Sequence, residues 1–187
     1  MKVNYQILEK KINVKFKNVN LLSQSLTHKG FNANNNYEKL EFLGDRVLGF
    51  VISKKLLELY PNEKVGMIDK KLANLVNKNK CFEIGKELEL DNYILTGNTE
   101  KKKKVNIEKK IISDCCESLI GAIYIDKGFE VSSKFILNYW KNYLNLSDVT
   151  VIDSKTRLQE YSLKKFKALP IYKLISNTGP RHKPNFK

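Results

Sequence analysis

The chain has no long apolar run. Its N-terminus, MKVNYQILEKK, is polar and charged, so it reads as neither a signal peptide nor a membrane span, and no membrane partner is expected. Cysteine is scarce: Cys81, Cys115 and Cys116. An odd count with two adjacent members does not make a disulfide framework. It fits reduced, mostly buried thiols in a cytoplasmic protein. The Cys115–Cys116 pair is expected to fill helix contacts with no redox role. No Cys/His cluster has zinc spacing. The first 150 residues lack an alternating strand pattern, and there is no internal repeat.

Acidic residues are also in deficit. The 187 residues carry 34 Lys plus Arg against 20 Asp plus Glu, a net charge of +14, and 42% are hydrophobic. That supports a proper core in one good-sized domain with a small appendage. A Lys- and Asn-rich composition drifts basic by itself, but the charge is uneven. Residues 153–187 hold nine basic and two acidic side chains, half of the net charge in under a fifth of the length. This asymmetry favours a polyanionic partner, with nucleic acid the usual candidate.

Apolar periodicity predicts short helices over Tyr5–Ile12 and Leu21–Thr27, then a polar loop Asn32–Asn36 suited to capping the next helix. Further helices are predicted over Tyr37–Tyr60 (stopped by Pro61), Ile68–Leu88, Asn106–Tyr124 (amphipathic, closed by Asp126-Lys127-Gly128) and Phe129–Leu144. Asp91–Lys104 reads as a loop ending in Glu100-Lys101-Lys102-Lys103-Lys104, which either touches a polyanion backbone or is simply solvated. Trp140 and Tyr143 are expected to pack the last of these helices, and His28 to be structural. After Leu146 the texture changes. Ser154 suits the N-cap of a helix Lys155–Phe166, Ile171–Ile175 reads as a strand, and Asn177-Thr178-Gly179-Pro180 as a turn into a second strand. A helix, one strand and the start of another cannot bury a core alone, so this unit reads as cut off.

The most informative stretch is Tyr37 to Leu48. It places Glu38, Glu41 and Asp45 at i, i+3 and i+7, on one narrow helical face. Leu40, Leu43, Val47, Phe50 and Val51 are expected on the opposite, buried face. A second helix sets Asp114 and Glu117 at i, i+3, with small residues Ser118, Gly121 and Ala122 that admit a close neighbour. Pairing the two helices gathers Glu41, Asp45, Asp114 and Glu117. Four carboxylates in a partly buried cleft repel one another unless cations neutralise them. Mg²⁺, which prefers oxygen ligands, would do so. From spacing alone, salt bridges with the many lysines are an equal reading.

These residues also carry a resemblance. The run Tyr37-Glu38-Lys39-Leu40-Glu41-Phe42-Leu43-Gly44-Asp45-Arg46-Val47-Leu48 closely resembles the signature of bacterial ribonuclease III, the double-stranded-RNA endonuclease. Leu26-Thr27-His28 and the segment from Asp114 to Tyr124 resemble the same family. Ser154 to Glu160 and Gly179 to Phe186 look like the opening of its RNA-binding domain. The resemblance implies an all-α endonuclease domain over 1–147, acting as a homodimer, followed by the start of an α+β double-stranded-RNA-binding domain over 153–187. It implies Glu41, Asp45, Asp114 and Glu117 as Mg²⁺ ligands (Mn²⁺ as substitute), with Asp45 and Glu117 catalytic. Glu38 has a supporting or RNA-contacting place, and Gln159, His182 and Lys183 contact RNA. Hydrolysis leaving a 5′-phosphate and a 3′-hydroxyl, in processing of ribosomal precursors and messenger RNA in the cytoplasm, is the implied activity. The chain departs from the family at Lys64-Val65-Gly66-Met67, where Val65 and Met67 stand in place of acids; weaker or altered RNA handling is expected there, with catalysis kept. A catalytically silent RNA-binding or ribosome-associated relative and an all-α nucleotide pyrophosphohydrolase are the competing readings.

Overall fold

The computed structural model describes residues 3–97, 107–146, 154–173, 176–178 and 185–186. They belong to two compact units, Met1–Thr150 and Val151–Lys187.

The first unit is built from helices α1 (Tyr5–Ile12), α2 (Val19–Ser25), α3 (Glu38–Leu59), α4 (Val65–Leu75), α5 (Lys78–Glu87), α6 (Lys109–Lys127) and α7 (Phe129–Leu146), with a 3₁₀ turn at Leu90–Asn92. Its described residues contain no strand, only an isolated parallel bridge between Thr27 and Leu95. Asparagine side chains cap the N-termini of α1, α2 and α5. Asn4 and Asn18 accept the N–H groups of Gln6 and Asn20, each at 3.1 Å. Asn13 closes α1 in the left-handed region at φ 53°. Asn36 Oδ1 takes the N–H of Glu38 at 3.0 Å, so the asparagine loop does cap the long helix.

Helix α6 is the centre of the unit, packed by α2, α3, α5 and α7. Every residue from Ile112 to Ile123 is buried, so α6 is enclosed on all sides rather than amphipathic as its pattern suggests. Ser113, Ser118, Gly121 and Ala122 make that possible, because small side chains leave room for neighbouring helices. Helix α3 buries Leu40, Val47, Leu48, Val51, Ile52 and Leu56. Phe50 is a correction: it is 61% exposed and meets Phe129 edge to face, at a ring separation of 5.6 Å. At about 100° per residue, Phe50 lies nearly opposite buried Leu48. The face turned away from the core therefore carries Phe42, Phe50 and Leu57, and the acids stand at the edge of the buried face, where α3 meets α6.

The helix expected over Ile68–Leu88 is two helices, α4 and α5, broken at Val76-Asn77. Asn77 secures both ends of the break. Its Oδ1 accepts the N–H of Lys80 at 3.0 Å, and its Nδ2 donates to the carbonyls of Ala73 and Asn74 at 3.3 and 2.9 Å. The indole N–H of buried Trp140 donates to the Leu75 carbonyl at 2.8 Å, satisfying a carbonyl that the end of α4 would otherwise leave unpaired. Tyr143 is half-buried, with the Lys80 ammonium 4.2 Å from its ring centre.

The second unit contains α8 (Ser154–Phe166) and an antiparallel pairing of β1 (Asn177–Thr178) with β2 (Asn185–Phe186). The strand expected at Ile171–Ile175 is absent over 171–173, and residues 174 and 175 lie outside those described. Ile171 is 87% exposed and is in no strand. Pairing begins instead inside the segment expected to turn.

Candidate metal centre

The close passage of α3 against α6 sets the site. A Cβ on Gly44 would stand 1.8 Å from the Glu117 carbonyl oxygen, and one on Gly121 would stand 2.2 Å from that of Leu40. Only glycine at both positions lets the backbones approach this far, and the approach brings Glu41 beside Asp114 and Glu117. Oxygens of these three carboxylates lie within 4.8 Å of one another. The Asp114 side chain is 0% exposed, that of Glu117 3% and that of Glu41 23%.

Asp45 stands apart from this trio, its carboxylate on the Arg46 guanidinium, which lies over the Phe42 ring. Glu38 pairs with Lys29 at 3.1 Å. Both acids, with Glu41 and Glu117, line one open cavity of about 710 Å³. Val65 is 82% exposed at the start of α4 and does not line it. Gln159 is half-buried on α8. His182, Lys183 and the run Glu100 to Lys104 lie outside the described residues. His28 is structural: its Nδ1 accepts the Gly30 N–H at 3.1 Å, and its own backbone N–H donates to the Leu95 carbonyl at 2.9 Å.

Lysines join the acids, so the salt-bridge reading is partly realised. Lys78 Nζ donates to Glu41 Oε1 at 2.9 Å, to Asp114 Oδ1 at 2.7 Å and to Glu117 Oε2 at 2.7 Å. Lys110 Nζ donates to the other Asp114 oxygen at 2.8 Å, and the Tyr37 hydroxyl reaches the same oxygen at 3.4 Å. Lys110 was visible in the sequence as the i−4 neighbour of Asp114. Lys78 was not, because only the α4–α5 break aims it here.

The electrostatics arise from this arrangement. Burial pushes the Glu117 carboxyl up, against the pull of Lys78. Burial acts on Asp114 in the same sense, but hydrogen bonds from Lys110 and Lys78 outweigh it and hold that carboxyl low. Burial would depress the Lys78 ammonium, yet its bonds to Asp114, Glu117 and Glu41 raise it well above its ordinary value. Burial, with the nearby Asp114 charge, raises the Tyr37 phenol, so it stays a donor. Against the three clustered carboxylates stand two ammonium groups, those of Lys78 and the more exposed Lys110. A donor set made only of carboxylate oxygens, two of them buried, fits a hard divalent cation.

Chain comparisons agree with the geometry. A family model described as Ribonuclease-III-like matches residues 18–144. A Ribonuclease 3 of Pelagibacter ubique (strain HTCC1062) is 62% identical over 187 residues, covering 100% of this chain and 84% of the relative. One of Agrobacterium fabrum is 40% identical over 181 residues, covering 96% and 76%. The nuclease domain of ribonuclease III from Campylobacter jejuni superposes with a TM-score of 0.71 at 36% identity, covering 75% of this chain and 99% of that one; that structure is described as flexible in a region involved in dimer formation. With the helical architecture and the acid cluster, these matches place the chain in the ribonuclease III family, as an enzyme of the ribonuclease III type.

Proposed function

We propose that the chain is a divalent-metal-dependent endonuclease that hydrolyses double-stranded RNA to 5′-phosphate and 3′-hydroxyl ends, acting in the cytoplasm on ribosomal precursors and messenger RNA. The observation that carries this is the convergence of Glu41, Asp114 and Glu117 oxygens within 4.8 Å, beside an open cavity, in a chain of a ribonuclease family. Glu41, Asp114 and Glu117, joined by Asp45 from the rim, would hold Mg²⁺ or Mn²⁺. Such an ion activates water and offsets charge on a reacting phosphodiester.

The chain's own groups do the positioning. Lys110 and Tyr37 fix one Asp114 oxygen, leaving the other turned toward Glu41 and Glu117. Glu117 is the carboxyl that burial pushes up, against the pull of Lys78. Glu38 supports the rim. Residues 153–187, with their excess of positive charge, would open a double-stranded-RNA-binding domain in which Gln159, His182 and Lys183 contact RNA. The outward face of α3, with Phe42, Phe50 and Leu57 all more than half exposed, supports pairing with a second copy of the chain. No described helix is long and apolar enough to cross a membrane.

The silent-relative reading is disfavoured by the acids themselves: burying Asp114 beside Glu117 is costly even with Lys78 and Lys110 paired to them, and a divalent cation held there gives that cost a function. The assay that tests the proposal offers long double-stranded RNA, single-stranded RNA and nucleoside triphosphates in Mg²⁺ and in EDTA. Cutting of the duplex alone, in Mg²⁺ alone, is expected. Hydrolysis of triphosphates would support the pyrophosphohydrolase instead, and no reaction in Mg²⁺ would support the silent relative.

A further inference from the structure

Lys78 occupies the middle of the carboxylate trio, and the metal reading of that site gives its position a consequence. One ammonium bonds all three acids, at 2.9, 2.7 and 2.7 Å. The carboxylates it bridges are the three whose oxygens converge within 4.8 Å, a space that holds one small cation. Lys78 is the first residue of α5, where the helix dipole disfavours a positive side chain. It is therefore held there by the acids. Its side chain remains 52% exposed and lines the open cavity, so it can swing out without disturbing the core.

We propose that the Lys78 ammonium is a resident counter-ion that holds Glu41, Asp114 and Glu117 together without metal and must be displaced before a divalent cation enters. This rests on the metal reading of the site. Lys78 is thus a positioning residue with two stations, among the acids when metal is absent and in the cleft when it is bound. Two properties move in opposite directions as a result. Removing the ammonium leaves three crowded carboxylates with Lys110 on Asp114 as their remaining described ion-pair partner, which destabilises the metal-free protein. It also removes the competitor, which tightens metal binding.

The test is Mn²⁺ binding, followed by calorimetry and by the paramagnetic signal of free Mn²⁺, on the full chain and on Lys78→Met and Lys78→Arg. Lys78→Met should bind Mn²⁺ on the order of tenfold more tightly than wild type, and its Tm in EDTA should fall. Lys78→Arg, which keeps the charge, should show no gain in affinity. If Lys78→Met folds only with metal present, the rise of its Tm with Mn²⁺ concentration replaces the isotherm; a rise larger than that of wild type supports the proposal. Equal or weaker Mn²⁺ binding by Lys78→Met, or a matching gain in Lys78→Arg, overturns the proposal and leaves the metal site standing. Absence of Mn²⁺ binding in both wild type and Lys78→Met overturns the metal reading and this inference with it.

Discussion

Gly44 lies against the backbone of Glu117 so closely that a methyl group on it would stand 1.8 Å from the Glu117 carbonyl oxygen. The contact is backbone to backbone, so no side chain can rotate away to relieve it. Gly44→Ala should therefore push α3 off α6 at a cost of about 3 kcal/mol or more, and separate Glu41 from Glu117 at the same time. Urea unfolding reads the first effect and Mn²⁺ binding the second. Wild-type stability in Gly44→Ala would contradict the packing described.

Asn77 ties the end of α4 to the start of α5, and that join aims Lys78 at the acids. Asn77→Ala removes the cap and should cost about 1 kcal/mol. Asn77→Asp, which keeps the accepting oxygen toward Lys80, should recover most of it. Guanidinium unfolding of the two variants checks the order. Equal losses in both would place the effect in the amide bonds to Ala73 and Asn74 instead.

Asp126 accepts the backbone N–H groups of Lys17 and Asn18 at 2.7 and 2.8 Å, pinning the start of α2 to the end of α6. Burial alone would raise its carboxyl, but these bonds and Lys127 hold it below its ordinary value. A carboxyl held low in the folded state contributes stability that is present above its unfolded value, about 3.9, and lost as pH falls through the lower folded value. Asp126→Asn should lower Tm at pH 7 and flatten its decline below about pH 4. Thermal unfolding between about pH 2.5 and pH 7 measures both. A variant profile parallel to wild type would remove Asp126 from the acid limb.

Phe42, 65% exposed on the outward face of α3, is the apolar group a second copy would cover. Phe42→Asp should shift the protein toward monomer in sedimentation equilibrium, while the circular dichroism of the helices is kept. A distribution unchanged from wild type would remove Phe42 from the proposed pairing surface.

The helical class and the acids that share a cleft were legible because both are matters of spacing. Glu38, Glu41 and Asp45 at i, i+3 and i+7 must share a face, and Asp114 with Glu117 must share another. What lay beyond spacing was which face the core takes. Phe50 belongs to the apolar pattern yet points outward, because the buried face of α3 is the one that carries Leu48 and Ile52. The enclosure of α6 was hidden because Ser113 and Ser118 read as polar although both are buried. Lys78 was hidden for a different reason: apolar periodicity runs through Val76, and only the hydrogen bonds of Asn77 break the helix there. Ile171 shows the same limit from the other side, since its β-branched, apolar character suits a strand, yet residues 171–173 are not in one.

Glu117 is the buried carboxylate on which the proposed metal centre should depend, and cleavage of long double-stranded RNA in Mg²⁺ by wild type and by Glu117→Gln tests this most directly. Glutamine keeps the shape and removes the charge, so the variant should fold at least as stably as wild type, with burial no longer opposing a carboxylate. The prediction is that wild type consumes the duplex, leaving 5′-phosphate ends, while Glu117→Gln leaves it uncut over the same time. Cleavage by the variant at the wild-type rate, or an intact duplex after treatment with wild type, would contradict that role for Glu117.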